Sequence, residues 1–195
     1  MNLPPLFVLT DRLQAARPLV EVVAAAVDGG ARAVVLREKD LPRAERARLA
    51  DRLRAILADA GGILVVASDS TIRADGVHLA AGDAFPAARP VLVGRSCHDA
   101  TELEAAAGEG CDWATLSPIF ASMSKPGYGP ALRTSALRKA PLPLYALGGV
   151  DVRHAGACVA AGAAGVAVMG AVMAANDPAA VVAALLRAVR DEVHR

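Results

Sequence analysis

Short apolar runs alternate along the chain with longer segments whose apolar positions recur at helical spacing. The short runs are rich in Val, Leu, Ile and Ala, which is typical of parallel strands buried on both faces. They predict eight strands, at residues 6–10, 33–37, 63–66, 76–79, 91–94, 113–116, 144–147 and 166–169. The longer segments predict helices at residues 18–28, 42–60, 100–108, 135–139, 154–161 and 178–193. This alternation indicates a parallel sheet with crossover helices.

Eight strands followed by helical segments predict an α/β fold of the (βα)8 or TIM barrel type, in one domain over residues 1–195. Only residues 67–75 separate the third and fourth strands, whereas a crossover with a helix needs about a dozen residues. We therefore expect a shortened or missing third helix. An open doubly wound sheet is the alternative, but the turn from Thr10 to Leu13 lacks the glycines of a dinucleotide-binding turn.

Two strands near the end of the chain terminate in glycine, in the segments LYALGG and GVAVMG. By order they are the seventh and eighth strands, whose following loops form phosphate-binding sites in many (βα)8 barrels. Glycine lets the backbone approach an anion closely, and a following helix directs free N–H groups at it. The pattern predicts a site for a substrate phosphate, here called the phosphate cup, at Gly148, Gly149, Met169 and Gly170.

Charged and hydroxyl side chains follow several other predicted strands. Arg37 and Lys39 have the same parity on an extended segment, so they project to one side and place two cations at the barrel mouth. The alternative is an ordinary solvated charge run. Ser96 follows the core of the fifth strand and is a candidate hydrogen-bonding group for a substrate.

The long loop after the sixth strand contains Ser122, Ser124 and Lys125. Hydroxyls and a cation in such a loop are suited to close over a pyrophosphate and to stabilise charge on a departing group. The alternative is a disordered surface loop. Its position at the catalytic face of a barrel favours function.

Two carboxylates follow neighbouring strands, Asp69 after the third and Asp83 after the fourth. Together they could hold one Mg²⁺, which prefers oxygen ligands and is often completed by substrate phosphates. Each aspartate alone would be read as a turn or helix cap. Only their pairing makes Mg²⁺ the predicted cofactor.

Composition and charge exclude several classes of protein. Hydrophobic residues make up 54% and aromatic residues 3%, which indicates a globular chain with a core of Ala, Val and Leu. A net charge of +1 gives no broad attraction to nucleic acid or to an anionic membrane. No segment reaches the roughly 18 uninterrupted apolar residues of a membrane span. The cysteines, Cys97, Cys111 and Cys158, are odd in number and lack CxxC spacing, which favours a reduced, cytoplasmic protein without a disulfide framework or a zinc site.

The segments FVLTDR, LREKD, ADGVHL, VGRSCH, SPIFASMSKPG, YALGGV and GVAVMGAVMAANDP resemble the thiamine phosphate synthase and TenI-type thiazole tautomerase family over nearly the whole chain. The resemblance implies a barrel that joins a pyrimidine methyl pyrophosphate to a thiazole phosphate and releases pyrophosphate. It implies that the pyrophosphate is bound by Arg37 and Lys39, and Mg²⁺ by Asp69 and Asp83. Ser96, Ser122, Ser124 and Lys125 would contact the pyrophosphate or the thiazole phosphate, and the phosphate cup would bind the thiazole phosphate.

The chain also departs from the synthase pattern. Val35 and Ala81 stand where a synthase usually has Gln, Ser68 stands where it has Asn, and Gly170 replaces a usual serine. These losses favour a TenI-type tautomerase as the alternative, yet Pro118 stands where the tautomerase carries its histidine. A regulatory protein that only binds the thiazole phosphate is a third possibility. The apolar, Ala- and Val-rich helices of this chain and its missing third helix leave apolar surface that a second copy could cover, which suggests a homodimer.

Overall fold

The computed structural model of the chain describes residues 3–121 and 130–193. Within these residues, eight parallel strands close into a barrel in sequence order. The strands are β1 (Leu6–Leu9), β2 (Ala33–Leu36), β3 (Ile63–Ala67), β4 (Gly76–Leu79), β5 (Leu92–Cys97), β6 (Trp113–Leu116), β7 (Leu144–Ala146) and β8 (Gly165–Val168). Closure comes from β1 pairing with β8, where Phe7 stands opposite Ala167. The predicted fold class is confirmed.

The helices surround the barrel and differ from the prediction in two connections, after β6 and after β8. They are α1 (Leu19–Asp28), α2 (Arg43–Asp59), α3 (Ala100–Gly108), α4 (Val152–Ala160), α5 (Gly170–Met173) and α6 (Pro178–Val193). Residues 68–75, between β3 and β4, form no helix, as expected, and residues 80–91, between β4 and β5, form none either. α5 was not predicted. None of the helices in the described part of the chain is long and apolar enough to cross a membrane.

The helix expected at residues 135–139 is wrong, because the structure has only a 3-10 helix at Thr134–Leu137. Pro141 explains the difference, since a proline disfavours helical backbone at the residue before it, here Ala140. The segment therefore has room for one tight turn and not for an α-helix. It still covers the barrel, because Leu137 is fully buried.

Three aromatic side chains fill the lumen near the amino ends of the strands. Phe7 stacks on Trp113 with ring centroids 5.3 Å apart and meets Tyr145 edge-on at 4.8 Å. The Tyr145 hydroxyl donates to the carbonyl oxygen of Pro4 at 3.0 Å, at the same end. This packing closes the barrel from below, so a ligand can enter only at the carboxyl ends of the strands.

Gly94 makes room for this aromatic layer. A Cβ atom at this position would overlap the indole ring of Trp113, which lies on the neighbouring strand β6. Parallel pairing brings the two residues opposite each other, so the largest side chain of the lumen faces the smallest. The narrow barrel thus depends on the absence of a side chain at Gly94.

We expect Gly94→Ala to lower the free energy of unfolding by about 2 kcal/mol or more, because the new methyl group forces the indole out of its packed position. Urea denaturation measures the change. Gly108→Ala is the matched control, since a Cβ atom there meets nothing within 4 Å and lies in a helix, where alanine is favoured. Equal stability of the Gly94→Ala variant and the parent chain would contradict this account of the lumen.

Candidate active site

A cavity of about 730 Å³ opens at the carboxyl ends of the strands. Its volume is in the range of pockets that bind small molecules. Among the predicted site residues, its lining includes Arg37, Lys39, Ser96, Gly148, Gly149, Met169 and Gly170. The predicted metal ligands Asp69 and Asp83 follow β3 and β4 but are not among the residues that line the cavity. Ser122, Ser124 and Lys125 lie outside the described residues.

The first half of the phosphate cup follows β7. Gly148 and Gly149 have φ angles of +88° and +63°, in the left-handed region that favours glycine. A Cβ atom at Gly149 would overlap Phe120 and the carbonyl oxygen of Ala121. The carbonyl oxygens of Leu147 and Gly148 accept hydrogen bonds from the loop after β6, at 2.9 and 3.0 Å. In trans peptides the N–H groups of Gly148 and Gly149 therefore point away from that loop.

The second half of the cup follows β8, where α5 begins at Gly170 directly after Met169. The side-chain oxygen of Gln14 lies 3.0 Å from the place where a Cβ atom of residue 170 would stand. The Gln14 amide nitrogen donates to Asp11 Oδ2 at 2.6 Å, which fixes the orientation of the amide. Gln14 thus occupies the space beside Gly170 and adds a polar wall that the sequence did not reveal.

The two cations of β2 are placed by a buried carboxylate between them. Glu38 is 3% exposed and accepts hydrogen bonds from the backbone N–H and the guanidinium of Arg12, at 3.1 to 3.2 Å. Arg12 also pairs with Asp40 at 2.6 Å. The backbone N–H of Arg37 donates to Thr10 Oγ1 at 3.0 Å. Glu38 is held by Arg12 and does not line the cavity, whereas its neighbours in the chain, Arg37 and Lys39, both do.

Asp69 and Asp83 lie at the ends of β3 and β4 and are both ionised at neutral pH. Burial alone would raise the pKa of each, but the pKa of Asp69 is lowered by hydrogen bonds from Thr71 and by nearby arginines. The pKa of Asp83 is lowered by hydrogen bonds from Ser68 and the Ala80 amide and by the charges of Lys39 and Arg95.

These two carboxylates fit a divalent cation in charge and in free valence. The hydrogen bonds of Asp69 fall on Oδ1, and those of Asp83 fall on Oδ2. One oxygen of each carboxylate, Oδ2 of Asp69 and Oδ1 of Asp83, accepts no hydrogen bond from the described residues, although Arg43 Nε lies 3.7 Å from Asp69 Oδ2 as an ion pair. Ser68 connects the two, because it precedes Asp69 and its hydroxyl donates to Asp83. In the described residues no third acidic, His or Cys ligand joins them, so water and substrate oxygens would complete a cation site.

His78 forms the polar floor of the cavity. Its Nε2 lies 3.0 Å from Ser96 Oγ and 3.3 Å from Thr115 Oγ1, and its ring stacks on Trp113 at 5.9 Å. Burial, together with the positive charges of Lys39 and Arg95, lowers the pKa of His78 to about 4. The imidazole is therefore neutral at pH 7.

His154, at the rim, is another residue that the sequence did not single out. Its Nδ1 lies 3.1 Å from the carbonyl oxygen of Gly149 and its ring stacks on Phe120 at 4.1 Å. These contacts tie the first turn of α4 to the phosphate cup and to the loop after β6. The only signal in the sequence is that His154 follows the Gly148-Gly149 pair by about one helical turn.

We expect Gly149→Ala to weaken phosphate binding by tenfold or more, because the methyl group would displace Phe120 and Ala121 at the cup. Gly61→Ala is the matched control, since Gly61 has a similar φ of +66° but a Cβ atom there meets nothing within 4 Å. Both variants carry the strain of a left-handed alanine, so only the cup differs. Calorimetric titration with inorganic phosphate measures the effect, and equal affinities of the two variants would contradict the assignment of the cup.

His78 predicts a pH dependence of stability. Its pKa is about 4 in the folded chain against an ordinary 6.5, so the unfolded chain binds more protons between these values. Its contribution is full above pH 6.5 and is lost as the pH falls towards 4, about 2 kcal/mol of it between pH 7 and pH 5. Urea denaturation at both pH values should show this extra loss for the parent chain and not for His78→Gln. If the free energies of unfolding of the two proteins fell equally between pH 7 and pH 5, this role of His78 would be refuted.

Comparison with known proteins agrees with this geometry. The chain is 35% identical to a thiamine-phosphate synthase of Moorella thermoacetica, over 96% of this chain and 94% of that protein. It is 39% identical to a thiamine-phosphate synthase of Thermosynechococcus vestitus over 87% of this chain. The match covers only 52% of the length of that relative. A thiamine phosphate pyrophosphorylase from Pyrococcus furiosus has the same fold, with a TM-score of 0.86, 27% identity and 96% of each chain covered.

The family model described as thiamine monophosphate synthase matches residues 6–172. This range runs from β1 to α5 and includes both glycine-ended strands, both cations of β2 and both aspartates. The chain belongs to the thiamine monophosphate synthase family.

Proposed function

We propose that the protein is a thiamine phosphate synthase, which joins hydroxymethylpyrimidine pyrophosphate to thiazole phosphate and releases pyrophosphate. The observation that carries the proposal is one cavity with two regions whose chemistry suits the binding of an anion. Arg37 and Lys39 provide cations on the β2 side, and the phosphate cup provides backbone groups after β7 and β8. The names of the relatives support the same reaction.

The strand order places the phosphate cup across the barrel from Asp69 and Asp83, the proposed cation ligands. In a closed ring of eight strands, β3 and β4 lie across from β7 and β8. Asp69 and Asp83 follow the first pair, and the phosphate cup follows the second. Two substrates, each held by its phosphate at one wall, would meet with their rings between the walls. This geometry fits a reaction between two phosphorylated molecules better than one on a single small substrate.

In the proposed reaction, the bond between the pyrimidine methyl carbon and the pyrophosphate oxygen breaks first, and the pyrophosphate leaves with the electron pair. The thiazole nitrogen then donates its lone pair to the methyl carbon. Arg37 and Lys39 stabilise the negative charge that builds on the departing oxygen. Ser124 and Lys125, in the loop after β6, are proposed to contact the same group, and Ser122 and Ser96 to complete substrate binding.

Asp69 and Asp83 are proposed to hold the cation. When bound, Mg²⁺ would neutralise charge on the leaving pyrophosphate.

The floor and walls of the cavity suit a positively charged pyrimidine. His78 is neutral at pH 7, so it adds no repelling charge below the ring. Val35, Ala67 and Ala81 line the cavity with small apolar surfaces. A dry wall limits capture of the reactive carbon by water and leaves the thiazole nitrogen as the nearest nucleophile.

Incubation of the purified protein with both phosphorylated substrates and Mg²⁺ should yield thiamine phosphate, and chelation of Mg²⁺ should abolish the product. Conversion of a carboxythiazole phosphate that survives chelator, without coupling, would replace the proposal with the tautomerase. Tight binding of thiazole phosphate without either product would replace it with a ligand-binding protein.

Arg37→Gln should lower kcat by about 100-fold or more, because it removes a charged donor from the departing pyrophosphate. Arg48→Gln is the control, since Arg48 is exposed on α2 and its loss changes the net charge equally. Steady-state kinetics of both variants at saturating Mg²⁺ make the measurement. A kcat of Arg37→Gln within a few fold of the control would remove Arg37 from the reaction.

We also propose a cytoplasmic location and a homodimer. All three cysteines are buried and free, which fits a reducing compartment. Leu13 and Val91 are large apolar side chains that are 78% and 76% exposed, and a second copy of the chain would cover such residues.

A further inference from the structure

Arg95 is a buried arginine that points out of the barrel from the middle of β5. It is 4% exposed, and its lumen-facing neighbours on the strand are Gly94 and Ser96. The Nη1 group of Arg95 donates three hydrogen bonds to carbonyl oxygens, at 2.9 Å to Ala80, 3.1 Å to Ala81 and 2.8 Å to Asp83. A single guanidinium nitrogen thus contacts three backbone carbonyl groups of one turn, at residues 80–83.

That turn opens the connection between β4 and β5, which contains no helix. A crossover helix would normally hold this segment against the barrel. The turn is held from outside by the three carbonyl contacts with Arg95. Within the turn, the Asp83 amide donates to the Ala80 carbonyl oxygen, and Asp83 Oδ2 accepts from the Ala80 amide and from the Ser68 hydroxyl. Ala80 and Ala81 line the cavity, so the same turn shapes the cavity wall.

Arg95 also forms an ion pair, but its partner lies partly in solvent. Its Nη2 group lies 2.7 Å from Glu109 Oε2, but the Glu109 side chain is 41% exposed and the contact does not align as a hydrogen bond. The Nε atom is buried without a hydrogen-bond partner among the described residues. A buried guanidinium that leaves donors unused is costly, and the three carbonyl contacts of Nη1 offset part of that cost.

We propose that Arg95 is a positioning residue that sets the Asp83 carboxylate for Mg²⁺ and pyrophosphate, a role that rests on the proposed function. Because no helix lies between β4 and β5, Arg95 holds the turn against the outer side of the barrel. Oδ1 of Asp83 would be the oxygen left for the cation, and the guanidinium contacts the backbone carbonyl oxygen of the same residue. Arg95 itself does not line the cavity.

The test measures binding without turnover. Pyrophosphate is titrated calorimetrically into the protein across a series of Mg²⁺ concentrations, for the parent chain, Arg95→Met and Arg95→Lys. Arg95→Met should raise the half-saturating Mg²⁺ concentration about tenfold or more, as loss of a group behind a metal ligand typically does. Arg95→Lys should fall between the two, because an ammonium keeps the charge but lacks the fixed fork of the guanidinium.

Glu109→Gln is the matched control. It removes the ion pair of Arg95 but keeps the three carbonyl contacts, so it should leave the Mg²⁺ requirement unchanged even if thermal stability falls. Inorganic phosphate binding at the cup, across the barrel, should change less than about twofold in every variant. If Arg95→Met does not fold, Arg95→Lys carries the test. A folded Arg95 variant with the parental Mg²⁺ requirement overturns the proposal, and so does a shift in Glu109→Gln as large as that in Arg95→Met.

The outcomes separate this role from the reaction itself. Mg²⁺-dependent pyrophosphate binding that is lost in Arg95→Met supports the role of Arg95 even if the parent chain forms no thiamine phosphate. Product formation by Arg95→Met with the parental Mg²⁺ requirement overturns the role and leaves the synthase assignment standing. A parent chain that binds no pyrophosphate at any Mg²⁺ concentration overturns the role of Arg95.

Discussion

The pairing of β1 with β8 is the interaction on which the site depends. Val8 stands opposite Val168, and the amide of Val166 donates to the carbonyl oxygen of Pro5 at 3.0 Å. In an open sheet β3 and β8 would be separated by five strand spacings, about 24 Å. Closure places the strand ends that carry the aspartates across the barrel from the strand ends that carry the glycines. It also brings Gln14, from the connection after β1, beside Gly170.

The closed barrel has a narrow lumen, and two of its connections contain no helix to cover its outer surface. The lumen is filled from below by three aromatic rings, and only glycine at position 94 lets the indole fit. Outside, two successive connections lack helices, and buried arginines hold strand ends there. Arg46, on α2, donates to the carbonyl oxygen of Ala67 at 2.6 Å, at the end of β3. Arg95 does the same for the turn after β4. Long side chains with several donors substitute for absent secondary structure.

Much of the fold follows from local pattern. Apolar runs mark all eight strands to within a few residues, and the short spacing after β3 excludes a helix there. The helix expected near residue 137 fails because a proline ends it, and α5 escapes notice because GAVM continues the apolar run of β8. Local pattern contains this information because strands and helices are decided mainly by residues near in sequence.

The site is predictable only in part, for a physical reason. The glycines of the phosphate cup are visible because their position follows from strand order. Gln14, His154 and Arg95 act through contacts between distant segments, and no spacing in the sequence encodes those contacts. The neutral state of His78 likewise depends on burial and on two charges from other strands.

The phosphate cup is built from main chain, whereas the opposite wall is built from side chains. Main-chain groups are the same whatever residue carries them, so drift in the surrounding sequence leaves the cup intact as long as Gly148 and Gly149 stay. Side-chain walls have no such protection, and Val35, Ser68 and Ala81 are positions where the sequence departs from the synthase pattern that it resembles. A barrel organised this way retains one ligand through evolution while the chemistry opposite it is free to change.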